Sequence, residues 1–216
     1  MKNYVDMHKE KIQKTPGGTL CQVFGDKENA ACSVALVMME ENSNGVMHYH
    51  DNITEIYLFS KGIGKIIING NENIIKEGDC YIIPPNNIHY IKAETSMNFA
   101  CICTPPWTEH HEFITDTYNV GKNLPKIIDN GIIEILGPEK EHNIKLYETN
   151  STFIPNNEML KYNRVYYFIS GTGKIIINDK EYYVEANHCY EINNKTPEQI
   201  IPDSKLKYVL ICGLIK

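Results

Sequence analysis

Two histidines one residue apart, His48-Tyr49-His50, are followed by an acid, Glu55, and much later by a third histidine, His89. A strand turns every second side chain to one face, so an extended segment here projects His48 and His50 together. Glu55 opens an apolar run after the turn-prone Asp51-Asn52, and His89 follows the turn-prone Pro84-Pro85-Asn86-Asn87. Three imidazoles and a carboxylate suit a borderline divalent ion, because imidazole accepts Fe, Mn, Ni, Zn and Cu alike. Four such ligands on an octahedral ion leave two neighbouring positions for a substrate or dioxygen. The pattern therefore predicts one divalent transition metal per chain and a small-molecule substrate or ligand. Imidazoles bind metal only when neutral, so affinity is expected to fall as pH drops through about 6.

These side chains must be held by strands. Short runs rich in Ile, Tyr, Phe and Val, such as Glu55–Ser60, Lys65–Asn69, Cys80–Ile83 and Phe99–Cys103, are punctuated by Gly, Asn, Asp and Pro. No stretch carries a sustained helical period. The pattern predicts an all-β chain folded as sandwich or barrel. A repeat organises it: Gly62-Ile-Gly-Lys-Ile-Ile-Ile-Asn69 recurs as Gly171-Thr-Gly-Lys-Ile-Ile-Ile-Asn178, an offset of 109 residues. The same offset pairs Tyr57 with Tyr166, Phe59 with Phe168, Cys80 with Cys189 and Cys103 with Cys212. Two copies of one module are implied, with residues 1–110 as the metal-bearing barrel, 111–130 as a linker and 131–216 as a second barrel without metal.

The spacing His48-x-His50-x4-Glu55-x6-Gly62, then Gly78-x5-Pro84-x-Asn86-x2-His89, closely resembles the paired motifs of the cupin superfamily. The resemblance implies two tandem cupin barrels (double-stranded β-helix, or jelly roll), with His48, His50, Glu55 and His89 as metal ligands. Asn42 and Asn86 stand where that family usually carries glycine, and Ala93 where an asparagine is common. Asparagine tolerates positive φ, so the turns survive the change. Two functional classes follow from the resemblance. One is a metal-dependent enzyme of isomerase, cyclase, lyase or dioxygenase type. The other is a non-catalytic binding or sensing cupin with a structural metal.

The second copy acts as an internal control. At the same offset the four ligands become Asn157, Met159, Arg164 and Glu198, so the second site reads as vacated. Arg164 is the only arginine among 21 basic residues. An Arg164–Glu198 ion pair is expected to replace the metal there. Tyr57 and Phe59 share the two-residue phase of Glu55 and are expected to line the first pocket, together with Cys101. His110-His111 has poor ligand spacing and reads as a solvated interdomain segment. Trp107, the only tryptophan, suits either a cover over the first barrel or an anchor for the linker. Gly62-x-Gly64 lacks a following helix, so it reads as a hairpin turn rather than a phosphate loop.

Composition narrows the remaining classes. The chain has 216 residues, 42% of them hydrophobic, with a formal net charge of −6. That balance gives a buried core and no general attraction to nucleic acid or an anionic membrane. The run Val34–Met39 is too short to span a bilayer, and Met1–Lys14 lacks the apolar stretch of a secretory signal. Seven cysteines, an odd number with no C-x-x-C, read as reduced thiols. A cytoplasmic monomer or homodimer is expected.

Overall fold

The computed structural model describes residues 4–6, 13–15, 18–24, 32–118, 126–128, 134–136 and 142–213. The described residues are almost entirely strand, with two single-turn 3-10 segments, Glu109–His111 and Met159–Lys161. None of their helices is long and apolar enough to cross a membrane. The chain divides into two compact units, a first of Lys11–Asn130 and a second of Met1–Glu10 with Gly131–Lys216.

The first unit has two sheets. A seven-stranded sheet orders Lys126–Ile128, Cys80–Ile83, Thr54–Lys61, Met97–Thr104, Ser33–Met39, Gly18–Phe24 and Gln13–Thr15. A five-stranded sheet orders Glu112–Ile114, His48–His50, His89–Ala93, Gly64–Ile68 and Asn71–Ile75. Their apolar faces enclose a core of Phe59, Ile66, Ile68, Ile75, Tyr81 and Phe99 with their neighbours. The second unit repeats the plan with a six-stranded and a three-stranded sheet around Tyr166, Phe168, Tyr190 and Tyr208.

The repeat seen in sequence is kept in the ladders. Glu55 lies opposite Ile83 and Cys103, and Arg164 lies opposite Ile192 and Cys212, the positions 109 residues on. Both Gly-x-Gly elements are turns between strands. Gly62 and Gly171 have φ of 97° and 85°, which glycine alone adopts freely. A Cβ on Gly64 would stand 2.4 Å from the carbonyl oxygen of Lys92, and one on Gly173 would stand 2.5 Å from that of Ile201. Asn42 and Asn86 take φ of 59° and 64°, so asparagine does fill the left-handed turns.

Three segments sit differently from the expected boundaries. Glu112–Ile114 and Lys126–Ile128, inside the expected linker, pair with His48–His50 and Cys80–Ile83 of the first unit. Tyr4–Asp6 pairs with residues 188–190 of the second unit. The physical reason is that open sheet edges carry unpaired N–H and C=O groups, which a short extended segment satisfies. Composition marks such segments as polar connections, so their pairing is invisible locally.

Candidate metal centre

The central strand Thr54–Lys61 brings Glu55 and Tyr57 to one face. Cys103 lies opposite Glu55 and Cys101 opposite Tyr57, so all four side chains share that face. In the five-stranded sheet His48 lies opposite His89, while Glu112 and Ile114 lie opposite His50 and His48. The expected ligands therefore come from both sheets and converge. Glu55 Oε2 is 3.5 Å from His48 Nε2, 3.3 Å from His50 Nε2 and 2.7 Å from His89 Nε2. His50, Glu55 and His89 are buried, and His48 is partly exposed toward a cavity of about 440 Å³.

Each ring is oriented by its other nitrogen. His48 Nδ1 donates to Val46 O at 2.9 Å, His50 Nδ1 to His111 O at 3.0 Å, and His89 Nδ1 to Asn87 O at 2.9 Å. Asn87 is itself fixed, receiving a bond from Asn69 at 2.7 Å and donating to Pro84 O at 2.9 Å. With the Nδ1 protons committed, a neutral ring presents a bare lone pair at Nε2. Lone pairs aimed at a carboxylate are mutually unfavourable unless a cation lies between them. His50 Nε2 is buried and has no hydrogen-bond partner. A buried orphan acceptor beside a buried carboxylate fits a bound metal ion, which would satisfy both.

The electrostatics follow from this crowding. Burial alone would lower the pKa of His48, but the hydrogen bond and charge of Glu55 outweigh it and raise it to about 9. Burial would raise Glu55; the close approach of the His48, His50 and His89 rings instead holds it well below its usual range. Burial and the charge on His48 push His89 down. Tyr57 is driven up by burial and by Glu55, so its hydroxyl stays protonated and lies 3.2 Å from His89 Nε2. Cys101 donates to Glu55 Oε1 at 2.8 Å. Its contact with Cys103, then burial, raise its pKa well above the usual thiol range. Cys103 joins His50 and Glu55 in a second tight group of ligand-type atoms, and both such groups among the described residues lie in the first unit.

Tyr57 and Cys101 line the cavity. Phe59 does not; this corrects the expectation from strand phase. Phe59 shares the face of Glu55 but lies four residues along the strand, about 13 Å away. There it is fully buried in the core against Phe99, which takes the lining position. Two lining residues carried no ligand signal in sequence: Glu112, and Trp107 at its side, whose indole nitrogen donates to Glu112 Oε2 at 2.9 Å. Trp107 also docks its backbone on Ser33 Oγ at 2.9 Å, so it anchors the connection and lines the cavity at once. His111 is not idle either. Its ring pairs with Asp51 at 2.7 Å, while its carbonyl receives His50.

In the second unit, two of the four expected positions meet. Arg164 Nε and Nη2 bind Glu198 Oε1 and Oε2 at 2.5 and 2.7 Å, a bidentate ion pair with both side chains fully buried. The remaining guanidinium bonds go to backbone oxygens of Met159, Tyr162, Asn193 and Thr196, and Tyr166 donates to Glu198 at 2.8 Å. Met159 contributes through that carbonyl and by packing on the core. Asn157 departs from the expected group and is exposed, because a 3-10 turn, Met159–Lys161, stands where the first unit has its ligand strand.

Residues 35–105, which include all four candidate ligands, match the Cupin domain family. An L-ectoine synthase of Vibrio campbellii is 31% identical over 84 residues, covering 38% of this chain and 65% of the relative. Another, from Hahella chejuensis, is 25% identical over 80 residues, covering 37% of this chain and 61% of the relative. The chain thus spans less than two-thirds of the length of these curated relatives. A cupin 2 conserved barrel domain protein from Leptotrichia buccalis superposes with a TM-score of 0.66 at 15% identity, covering 100% of this chain and 97% of that one. Motif spacing and family match together identify residues 35–105 as a cupin domain, and the chain as a whole has the fold of the cupin barrel structure it superposes on.

Proposed function

We propose that the first unit is a metal-dependent enzyme centre acting on a small organic molecule, with His48, His50, Glu55 and His89 holding one divalent transition metal. One observation carries this reading: rings with their Nδ1 atoms bonded to carbonyls turn their Nε2 atoms on a single buried carboxylate beside a cavity. A metal bound there would supply Lewis-acid polarisation of a substrate oxygen. The chain's own part is orientation and exclusion of water. Tyr57 and Cys101 stay protonated and present donors at the cavity floor, while Phe99 and Val37 give it apolar walls. Similarity to the L-ectoine synthases favours chemistry of the isomerase, cyclase or lyase type over oxygen insertion. The second unit, with its ion pair in place of ligands, serves as a metal-free barrel.

Elemental analysis of protein purified without added metal tests the assignment. One divalent metal per chain is expected, and His50→Ala should lose it. Two metals per chain, or full metal in His50→Ala, would overturn the ligand set. Iron with dioxygen uptake on turnover would move the chemistry to the dioxygenase class.

A further inference from the structure

The proposed metal engages one group of the side chains that line the cavity, and a neighbouring stretch of the wall has its own chemistry. Glu112 sits on the short strand Glu112–Ile114, directly opposite His50 in the ladder. Opposed residues in an antiparallel pair put their side chains on one face. The Glu112 carboxylate accordingly lines the cavity that His48 and His50 line, and it contributes to the field felt by His48. Trp107 lies beside it, 40% exposed, with the indole N–H on Oε2. That leaves Oε1 of Glu112 without a bond from Trp107. Among the described residues, the cavity is lined by two carboxylates, Glu55 and Glu112, and by no lysine or arginine.

We infer that Glu112 and Trp107 read a cationic group, so that the substrate is a small molecule with a protonated amine beyond its metal-facing oxygen group. The inference rests on the metal-centre reading above. An ammonium at this place gains a charge-assisted hydrogen bond to Glu112 and the face of the neighbouring indole. An anionic group there meets the Glu112 carboxylate with no lysine or arginine among the described lining residues to offset it. A neutral apolar tail leaves a desolvated carboxylate half-paired, which is the costly case. The cavity, at about 440 Å³, lies in the lower part of the range for small-ligand sites. Metal and Glu112 therefore select a small molecule by two different groups on it.

The only tryptophan of the chain lies at the proposed subsite, so its fluorescence reports occupancy there. The probes are the ω-amino acids from 3-aminopropanoate to 6-aminohexanoate. Each is titrated against the fatty acid with the same number of heavy atoms, using the full chain as purified. At least one amino acid should bind about tenfold more tightly than its fatty acid, about 1.4 kcal/mol. The preference should fall below about twofold in Glu112→Gln. In Glu112→Lys the order should invert in favour of the diacid of matching length. Metal content measured on the same samples separates the two ideas. A wild-type chain lacking stoichiometric metal defeats the metal-centre reading, while its amine preference is still read at Trp107. A chain with full metal and no amine preference, or one retaining the preference in Glu112→Gln, overturns the role of Glu112 alone.

Discussion

Glu55 is a carboxylate in a place where an unpaired charge is costly, and its neighbours show what compensates it. In the metal-free protein that partner is the proton on His48, whose pKa is raised to about 9. The sign of the linkage follows: the pairing contributes fully below the unfolded value near 6.5 and is lost as pH rises through about 9. Metal needs the neutral ring, so binding must expel this proton. The raised value moves the pH dependence expected from ordinary imidazoles upward, and metal affinity should keep rising until about pH 9. We expect about one proton released per metal at pH 7.5 and none above about pH 10. Calorimetry in buffers of different ionisation enthalpy counts that proton, and zero release at pH 7.5 would contradict the assignment. The convergence of the four candidate ligands was legible in the sequence, because their spacing depends only on strand phase and turn chemistry. Phe59 was misplaced for the same reason: phase fixes a face, and says nothing of depth along it.

At the scale of elements, the strand Glu112–Ile114 and the turn before it decide how His50 is held. Its Nδ1 bond ends on the His111 carbonyl, and the His111 ring is tied to Asp51. Loosening a partner in the outer shell of a metal typically costs 10–100-fold in affinity. Asp51→Ala acts one step further out, so we expect about a tenfold loss, the low end of that range. Competition with a chelator measures it; unchanged affinity would mean the turn holds itself without Asp51. The role of this element was not legible in the sequence. The residues around His110-His111 are polar and carry no strand pattern, and their pairing spans a separation of about sixty residues that local composition cannot reveal. The Gly-x-Gly turns were legible. Their physical content is a backbone contact with no room for a Cβ, so Gly173→Ala should destabilise the second unit by roughly 1–3 kcal/mol. Metal content should stay unchanged in that variant, and denaturant unfolding gives the energy.

Across the whole molecule, one barrel plan is internally fastened in two ways. Where the first unit gathers its candidate ligands, the second buries Arg164 with Glu198, satisfied on every side by backbone oxygens. Breaking such a pair from one side costs about 3–5 kcal/mol, whereas removing both charges costs less than the two losses added together. A double-mutant cycle of Arg164→Met and Glu198→Gln, read by denaturant unfolding, should show this coupling. Additive effects would count against it, and neither variant should change metal content. The strand Tyr4–Asp6 has a further consequence. Its partner, residues 188–190, leaves the ribosome about 180 residues later. At roughly 5–20 residues per second, that is a wait on the order of ten to forty seconds. Among the described residues, the sheets of the first unit use none beyond Ile128, so it can close while the second is still being made. A segment made before the first unit is therefore among the last to find its place, and until its partner is made it is an unpaired strand in need of protection.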